Sequence, residues 1–193
     1  MIEIRIHGRG GQGNVVAAYL LAMAAFEESR YGQAFPNFGA ERRGAPVIAF
    51  VRIADKPIQR RCQVRQPAFL IVQDQALLQL PEVMNGLLPG GKILVNSTLS
   101  SEELSEQLKT DVISFPATAL AKQVLGRPVP NTALLAAFFS LTDMLSQNSL
   151  SKVLNNRFKG DVLEKNLQLI QQAATQVPAG LWKKEEASDV ATA

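Results

Sequence analysis

A glycine-rich segment near the N-terminus, Gly8-Arg9-Gly10-Gly11-Gln12-Gly13, has the clearest chemistry in the sequence. It matches the pattern G-x-G-x-x-G and stands between a strand-like run and a helix-like run, which is the context that gives the pattern meaning. The backbone N–H groups of such a turn, together with the positive end of the next helix dipole, bind anions. The sequence therefore predicts a site for a phosphate-bearing ligand at Gly8, Arg9, Gly10, Gly11, Gln12, Gly13 and Asn14. The alternative is a structural turn that only packs the helix against the sheet.

Groups for acid–base or nucleophilic chemistry are scarce, because the chain has one histidine and one cysteine. His7 stands beside the turn and could contact a ligand, but we favour a half-buried residue with satisfied hydrogen bonds. Cys62 lies among Arg60, Arg61 and Arg65, which could lower the pKa of its thiol; we favour a small apolar residue in a strand. One cysteine excludes an intrachain disulfide, and also a multi-cysteine zinc site or an iron–sulfur cluster held by this chain alone. We therefore expect neither a catalytic residue nor a metal site here.

Positive charge is concentrated in the N-terminal third of the chain. Residues 1–65 hold ten Lys or Arg against five Asp or Glu, whereas residues 66–193 hold ten against twelve. This third is where an anionic ligand or an acidic partner would be drawn. Nucleic acid is a weaker candidate, since aromatics make up 6% and no binding motif is recognisable. No apolar run approaches the roughly 20 residues that cross a bilayer. With no signal peptide visible and a single cysteine, we expect a cytoplasmic protein.

The elements that must position these residues alternate between strand and helix patterns. The predicted strands are Ile2–His7, Gln33–Phe35, Val47–Ile53, Ile58–Val64, Ala68–Val72, Lys92–Val95 and Val112–Phe115. The predicted helices are Asn14–Arg30, Gln75–Leu80, Glu102–Leu108, Ala117–Leu125, Thr132–Leu145, Ser151–Phe158 and Asp161–Gln176. Ser100 or Ser101 can cap the third of these helices, and the apolar run from about Thr132 to Leu141 is predicted as a buried helix. This order predicts an α/β fold, Rossmann-like and three-layered, with a mostly parallel sheet, an edge hairpin of residues 47–64 and a helical C-terminal part. We expect one domain over residues 1–180 and a polar, disordered tail over 181–193.

A dinucleotide-binding oxidoreductase that acts alone is the alternative function for the glycine turn. Its fingerprint needs an acid at the end of the second strand to hold the ribose. Glu27 and Glu28 have about the right spacing but fall inside the first predicted helix, and Glu41 comes later, in a loop. The acid is therefore not where NAD binding requires it.

The loop after the second strand contains Glu41-Arg42-Arg43-Gly44. Arg42 or Arg43 could bind a phosphate or a partner's carboxylate, with Glu41 holding an arginine in place. A solvated turn with weak surface ion pairs is the alternative. Phe35, Pro36 and Phe38 nearby argue for a loop that frames a ligand or contacts another subunit, because aromatics and arginine are enriched in interface cores.

Two glycine motifs in this order resemble the gamma subunit of 2-oxoacid:acceptor oxidoreductases, the family of pyruvate:ferredoxin and pyruvate:flavodoxin oxidoreductase. The motifs are His7-Gly8-Arg9-Gly10-Gly11-Gln12-Gly13 and Gln33-Ala34-Phe35-Pro36-Asn37-Phe38-Gly39-Ala40-Glu41-Arg42-Arg43-Gly44-Ala45-Pro46, and the second resembles the pyruvate type. Leu94-Val95-Asn96 and the helix-opening Pro130-Asn131-Thr132-Ala133-Leu134-Leu135 add to the resemblance, which covers roughly Ile2 to Gln172.

The resemblance implies a division of labour between chains. The complete enzyme of this family converts a 2-oxoacid and coenzyme A to an acyl-CoA and carbon dioxide, and passes electrons to ferredoxin or flavodoxin. Thiamine diphosphate, Mg²⁺ and iron–sulfur clusters would lie on the alpha, beta and ferredoxin-like delta subunits. The gamma chain would hold no cofactor alone, help to hold the complex together and help to frame the coenzyme A site. Gly8 to Gly13, with Arg42 and Arg43, would face the coenzyme's phosphates.

Overall fold

A six-stranded mixed sheet forms the centre of the computed structural model, which describes residues 1–37 and 44–183. The strands are β1 (Ile2–Arg9), β2 (Tyr31–Pro36), β3 (Pro46–Ala54), β4 (Phe69–Val72), β5 (Lys92–Asn96) and β6 (Val112–Phe115). Their order across the sheet is β2-β3-β1-β4-β5-β6. β3 pairs antiparallel with β1 and β2, while β1, β4, β5 and β6 pair in parallel. The predicted mostly parallel α/β sheet is therefore confirmed.

Seven α-helices and one short 3-10 helix surround the sheet within the described residues. They are α1 (Asn14–Glu27), the 3-10 helix (Gln75–Gln79), α2 (Pro81–Met84), α3 (Ser101–Leu108), α4 (Ala117–Leu125), α5 (Asn131–Thr142), α6 (Gln147–Arg157) and α7 (Gly160–Thr175). The predicted helix Ala117–Leu125 agrees with α4 at both ends. The predicted cap of α3 is also confirmed, since Ser100 and Glu103 form a capping box.

The first face of the sheet is mainly apolar and carries the larger core. Ile4, Ile6, Val51, Ile71 and Leu94 point to this face and pack against the longer helices, with α5 at the centre. Every residue of α5 is buried except one serine in its last turn. The apolar run predicted as a buried helix is thus confirmed.

The second face has two different halves. Over β4, β5 and β6 it is apolar, and Leu70, Val95 and Val112 pack there beneath the 3-10 helix, α2 and α3. Over β1 and β3 it carries the buried arginines Arg5 and Arg52. Because successive side chains of a strand alternate between faces, these arginines occupy the face opposite Ile4 and Val51. Helices or helical turns on both faces give the predicted three layers.

The predicted strand Ile58–Val64, which was to pair with β3 as an edge hairpin, is wrong. Both edges of β3 are already taken, by β1 and β2, so no row of its backbone groups is left for a further strand. The antiparallel pair at the sheet edge is instead β2–β3.

The segment of residues 57–67 runs as an irregular strap held by the buried guanidinium of Arg52. Arg52 Nη2 donates to the carbonyl of Cys62 over 2.6 Å, and its Nε pairs with Glu3 over 2.7 Å. Cys62 is exposed and lies outside any strand, so the prediction of a small apolar residue in a strand is also wrong. Arg52 Nη2 contacts its Sγ over 3.8 Å in addition to its carbonyl.

The end of the described chain packs onto the domain. Trp182 donates its backbone N–H to Leu141 over 2.7 Å, and its ring lies 6.2 Å from that of Phe69. Most of the predicted tail, residues 184–193, lies outside the described residues. Among the described residues no helix is both long and apolar enough to cross a membrane.

Candidate functional site

The glycine turn is hydrogen-bonded to the two residues that immediately precede β3. Gly10 donates to the carbonyl of Ala45 over 2.9 Å, and Gly44 donates to that of Gly10 over 3.2 Å. The side chain of Gln12 folds back, so that its Oε1 accepts the N–H of Arg9 over 2.7 Å. These bonds hold the turn as a rigid continuation of the β1–β3 pair.

Two glycines of the turn have backbone conformations that side chains rarely adopt. Gly11 has φ +97°, and an added Cβ would meet nothing within 4 Å. Gly13 has φ +79° and stands in the left-handed region immediately before α1. A Cβ on Gly13 would lie 2.5 Å from Nδ2 of Asn131, the first residue of α5. Gly13 is therefore required by packing, whereas Gly11 borders open space where a ligand can approach.

The N-terminus of α1 points out of this turn without a capping side chain. Its first turn contains no acidic residue, so the positive end of the helix dipole is not neutralised there. Asn14, which we predicted as a ligand-binding residue, turns its side chain inward, and Nδ2 donates to the carbonyls of Ile6 and Val47. Nδ2 of Asn14 is thus engaged within the fold, and its Oδ1 is buried without a hydrogen-bond partner. The uncapped N–H groups suit an anion.

The turn lies at the point where the strand order reverses. From β1 the chain continues to β2 and β3, which lie on one side of β1, and β4 begins the other side. In open α/β sheets this crevice outside the carboxyl ends of the strands is the usual place for a ligand. Arg9 is the last residue of β1 here, and Asp74 lies shortly after the end of β4.

An ion pair bridges this crevice. Arg9 Nε lies 2.5 Å from Oδ2 of Asp74, and Arg9 Nη1 also donates to the carbonyl of Gly44 over 3.2 Å. The other carboxylate oxygen of Asp74 accepts the N–H of Ala76 and caps the 3-10 helix. Arg9, predicted to add charge to a phosphate, is therefore engaged by a carboxylate in this structure. The sequence reasoning missed Asp74, although its place directly after a buried strand could have drawn attention to it.

His7 is buried on the second face of the sheet, only 3% exposed. Its Nε2 has no hydrogen-bond partner, so the prediction of a half-buried histidine with satisfied hydrogen bonds is wrong. Burial, with the nearby charge of Arg5 as a second cause, lowers the pKa of His7 to about 3. The imidazole is neutral at physiological pH and lines a cavity of about 250 Å³ next to Gly8.

Two of the predicted phosphate ligands cannot be compared with the structure. Arg42 and Arg43 lie outside the described residues. Elsewhere in the basic third, Arg5 donates to the carbonyls of Val83 and Asn85, and Arg30 pairs with Asp55. With Arg9 and Arg52 also paired, much of the positive charge there is used in internal contacts. The described residues contain no group of His, Cys, Asp or Glu that could hold a metal ion.

Comparison with known proteins matches nearly the whole chain. The model of the family "Pyruvate ferredoxin/flavodoxin oxidoreductase" matches residues 3–176. Pyruvate synthase subunit PorC of Methanothermobacter thermautotrophicus is 45% identical over 177 residues, which are 92% of this chain and 96% of that protein. The pyruvate/ketoisovalerate oxidoreductases common subunit gamma of Thermococcus kodakarensis is 46% identical over 176 residues, 90% and 95% of the two chains.

Solved structures agree with the fold. Pyruvate oxidoreductase subunit PORC of Thermotoga maritima superposes with a TM-score of 0.81 at 34% identity, covering 90% of this chain and 95% of that one. A 2-oxoglutarate:ferredoxin oxidoreductase of Magnetococcus marinus, with 2-oxoglutarate, coenzyme A and succinyl-CoA bound, gives a TM-score of 0.73. It is 22% identical over 92% of this chain and 32% of that one, so this likeness shows the fold alone. The alternative of a stand-alone NAD(P)-dependent oxidoreductase is not supported by these comparisons.

Proposed function

This chain belongs to the pyruvate ferredoxin/flavodoxin oxidoreductase family, as a gamma subunit of a 2-oxoacid oxidoreductase, and we propose that it frames the coenzyme A site of that complex. Its own part is binding, since one histidine, buried and neutral, and one exposed cysteine provide little acid–base or nucleophilic equipment. Pyruvate is the proposed 2-oxoacid, in keeping with the names of its relatives.

The observation that carries the coenzyme A proposal is the uncapped N-terminus of α1 at the strand-order reversal. Gly11 leaves open space there, and no acid neutralises the helix end. Coenzyme A carries a 3′-phosphate and a pyrophosphate, which are the groups that helix N-termini and arginines bind. We place one phosphate group close to the turn, with Arg42 and Arg43 as proposed further ligands.

The remaining chemistry is assigned to partner chains. Thiamine diphosphate with Mg²⁺ and iron–sulfur clusters are proposed for the alpha, beta and ferredoxin-like delta subunits, with ferredoxin or flavodoxin as electron acceptor and the cytoplasm as location. This chain contributes the turn, and its packing holds the complex together. Such a division is in keeping with a described region that offers no metal-binding cluster.

The test is a pair of substitutions at Gly11 in the assembled complex. Gly11→Asp and Gly11→Asn strain the same φ of +97° and add nearly the same volume to open space, so they differ in having a charged carboxylate or an uncharged amide. A carboxylate next to bound phosphates should raise the KM for coenzyme A about tenfold above that of the Asn variant, equivalent to ~1.4 kcal/mol. The kcat should be equal in both variants.

The comparison between the two variants removes backbone strain from the result. Equal KM values for coenzyme A in the Asp and Asn variants would show that no anion lies near Gly11, and would overturn this placement. The purified complex also has to contain the partner chains; a tagged gamma chain that brings down no thiamine diphosphate or iron–sulfur subunit would contradict the subunit assignment itself.

A further inference from the structure

Residues 56–65, which include most of the strap, form a segment that is positively charged and free of acids; we call it the basic segment. Its four cations, all of them exposed, are Lys56, Arg60, Arg61 and Arg65. No Asp or Glu follows in the chain until Asp74. Within the described residues none of the four enters an ion pair. Their charge is therefore left for a partner outside this chain.

The backbone of the basic segment is fixed by the guanidinium of Arg52. Arg52 Nη1 donates to the carbonyl of Arg60 over 3.4 Å, and Nη2 donates to that of Cys62 over 2.6 Å. Arg52 itself is fully buried, and Glu3 neutralises its charge over 2.7 Å. Arg60 and its neighbour Arg61 thus stand on a fixed backbone, with their side chains in water. A preformed surface of this kind loses less conformational entropy when a partner binds.

The basic segment begins at the end of the sheet opposite the glycine turn. Lys56 and Arg60 line one cavity with Met1, which precedes β1. The glycine turn instead follows Arg9, the last residue of β1. A strand of eight residues separates the two ends, which is roughly 25 Å at about 3.3 Å per residue. The cations at this end therefore lie too far away to bind a phosphate placed at the turn.

The composition of the basic segment favours a brief contact with carboxylates. Three of its four cations are arginines, whose planar guanidinium binds carboxylates in a bidentate geometry. The large exposed apolar side chains of the described residues all lie outside the segment. Permanent interfaces contain an apolar core, whereas a charged surface without one suits weak encounters that are steered electrostatically. The fitting partner is an acidic protein that binds and leaves.

We propose that the basic segment is part of the docking surface for the acidic protein that carries electrons away from the complex. The inference rests on the proposed function, in which ferredoxin or flavodoxin is the electron acceptor. This chain contributes positive charge only, since the electrons leave from a cluster that the proposed function assigns to a partner chain. Opposite charges accelerate the encounter and orient the carrier, and the absence of an apolar core lets the carrier dissociate after each transfer.

A permanent subunit of the same complex is the competing occupant of the basic segment. The chain offers a more suitable surface for such a contact on α1, where Tyr19, Met23 and Phe26 are 47%, 45% and 58% exposed. Their spacing of four and three residues places them on one side of the helix. Aromatic and Met side chains are enriched in the cores of interfaces. The exposed apolar surface and the exposed charge are thus on separate parts of the molecule.

The experiment reverses charge in the assembled complex and compares two electron acceptors. Arg60→Glu/Arg61→Glu changes two exposed side chains and keeps the backbone carbonyl that Arg52 contacts. Lys122→Glu/Arg127→Glu makes the same change in charge at the end of α4, which packs on the first face of the sheet, and is the matched control. The acceptors are a ferredoxin of net negative charge and methyl viologen, a small dye that needs no protein docking.

We expect Arg60→Glu/Arg61→Glu to raise the KM for ferredoxin about tenfold or more at low ionic strength, because two attractions become repulsions. The control variant should change this KM less than about twofold. Turnover with methyl viologen and the KM for coenzyme A should equal the wild-type values in both variants. The difference between the two variants should shrink toward 1 M salt, where the screening length is about 3 Å.

Arg60→Lys/Arg61→Lys keeps both charges and should hold the KM for ferredoxin within about threefold of wild type. A KM as high as that of the Glu variant would contradict the electrostatic role. An unchanged KM for ferredoxin in the Glu variant would overturn the inference. Loss of the gamma chain from the Glu variant on size exclusion would also overturn it, because the occupant would then be a partner subunit. The Gly11 variants report on coenzyme A separately, so a retained difference between them would leave the proposed function standing.

Discussion

The two faces of the sheet bury different kinds of side chain. The face packed by α1 and α5 is mainly apolar, with Leu134 and Leu135 fully buried against it. The β1–β3 half of the other face buries Arg5, His7 and Arg52. Burial of the first kind stabilises by removing apolar area from water, at about 25 cal/mol per Å². Burial of the second kind stabilises only where partners replace water.

Those partners are incomplete on the polar half-face. Arg52 is fully satisfied, by Glu3, Gln33 and the carbonyl of Cys62. Arg5 Nε and His7 Nε2, however, are buried without a hydrogen bond. Unsatisfied buried polar atoms are rare in native folds, so each one calls for a physical explanation. The apolar face carries most of the hydrophobic core, while the polar half-face adjoins the glycine turn that we propose as the ligand site.

The largest effect should come from the apolar face. Phe138 of α5 is 1% exposed, and its ring meets that of Phe69 edge-on at 5.2 Å between centroids. Phe138→Ala removes that contact and leaves a cavity, so the free energy of unfolding should fall by about 3–5 kcal/mol in urea titrations. Val162→Ala on α7, where the side chain is 52% exposed, is the control and should change it by less than about 0.5 kcal/mol. A loss below ~1 kcal/mol for Phe138→Ala would break the assignment of stability to this face.

A smaller, pH-dependent effect should come from His7 on the polar half-face. Its pKa is about 3 in the folded chain against an ordinary 6.5. Below pH 6.5 His7 binds a proton in the unfolded chain but stays neutral in the folded chain, so the free energy of unfolding falls as pH falls. The free energy of unfolding should decrease with a slope that approaches 1.4 kcal/mol per pH unit between about pH 6 and pH 5.

The measurement is a set of urea titrations of the purified chain across that window. His7 is the chain's one histidine, so no second imidazole contributes to the slope. His7→Phe removes the titrating group and should flatten the curve between pH 6 and pH 5. An identical slope in wild type and variant would show that His7 ionises freely. Burial on the polar half-face would then not lower the pKa of His7, contrary to our expectation.

Local patterns predicted the apolar side of the molecule better than the polar side. The ends of α4 and the cap of α3 followed from capping residues and helical periodicity, which act within a few positions of the chain. The strap at residues 57–67 was mistaken for a strand, because the choice of a neighbour for β3 depends on β1 and β2, which are distant in sequence.

Site residues were harder still, because their partners are remote in the chain. Asp74 reaches Arg9 across 65 positions, and Asn131 donates to the carbonyl of Gly13 across 118. No local pattern encodes such contacts. The glycine motif itself was recognisable because its required turn is local, although the packing need at Gly13 depends on α5.

The smallest effect should come from the ion pair between Arg9 and Asp74, which stands at the border of the two regions. The side chains are 35% and 23% exposed, so the pair contributes no more than about 1 kcal/mol to stability. Asp74→Asn removes the charge and keeps an oxygen to accept the N–H of Ala76, so the 3-10 helix remains capped. Arg9 is then released toward the phosphates, and the KM for coenzyme A should fall two- to fivefold in the assembled complex.

The double variant Arg9→Gln/Asp74→Asn tests whether the released guanidinium causes the lower KM for coenzyme A. If the freed guanidinium binds phosphate, removing it should cancel the improvement, and the KM should return at least to the wild-type value. The improvement should also shrink as salt is added, since a partly exposed charge is screened within about 10 Å at 0.1 M ionic strength. A KM that rises in Asp74→Asn and is insensitive to salt would instead mean that the pair holds the crevice in shape. In that case the ion pair would contribute rigidity at the border of the polar half-face.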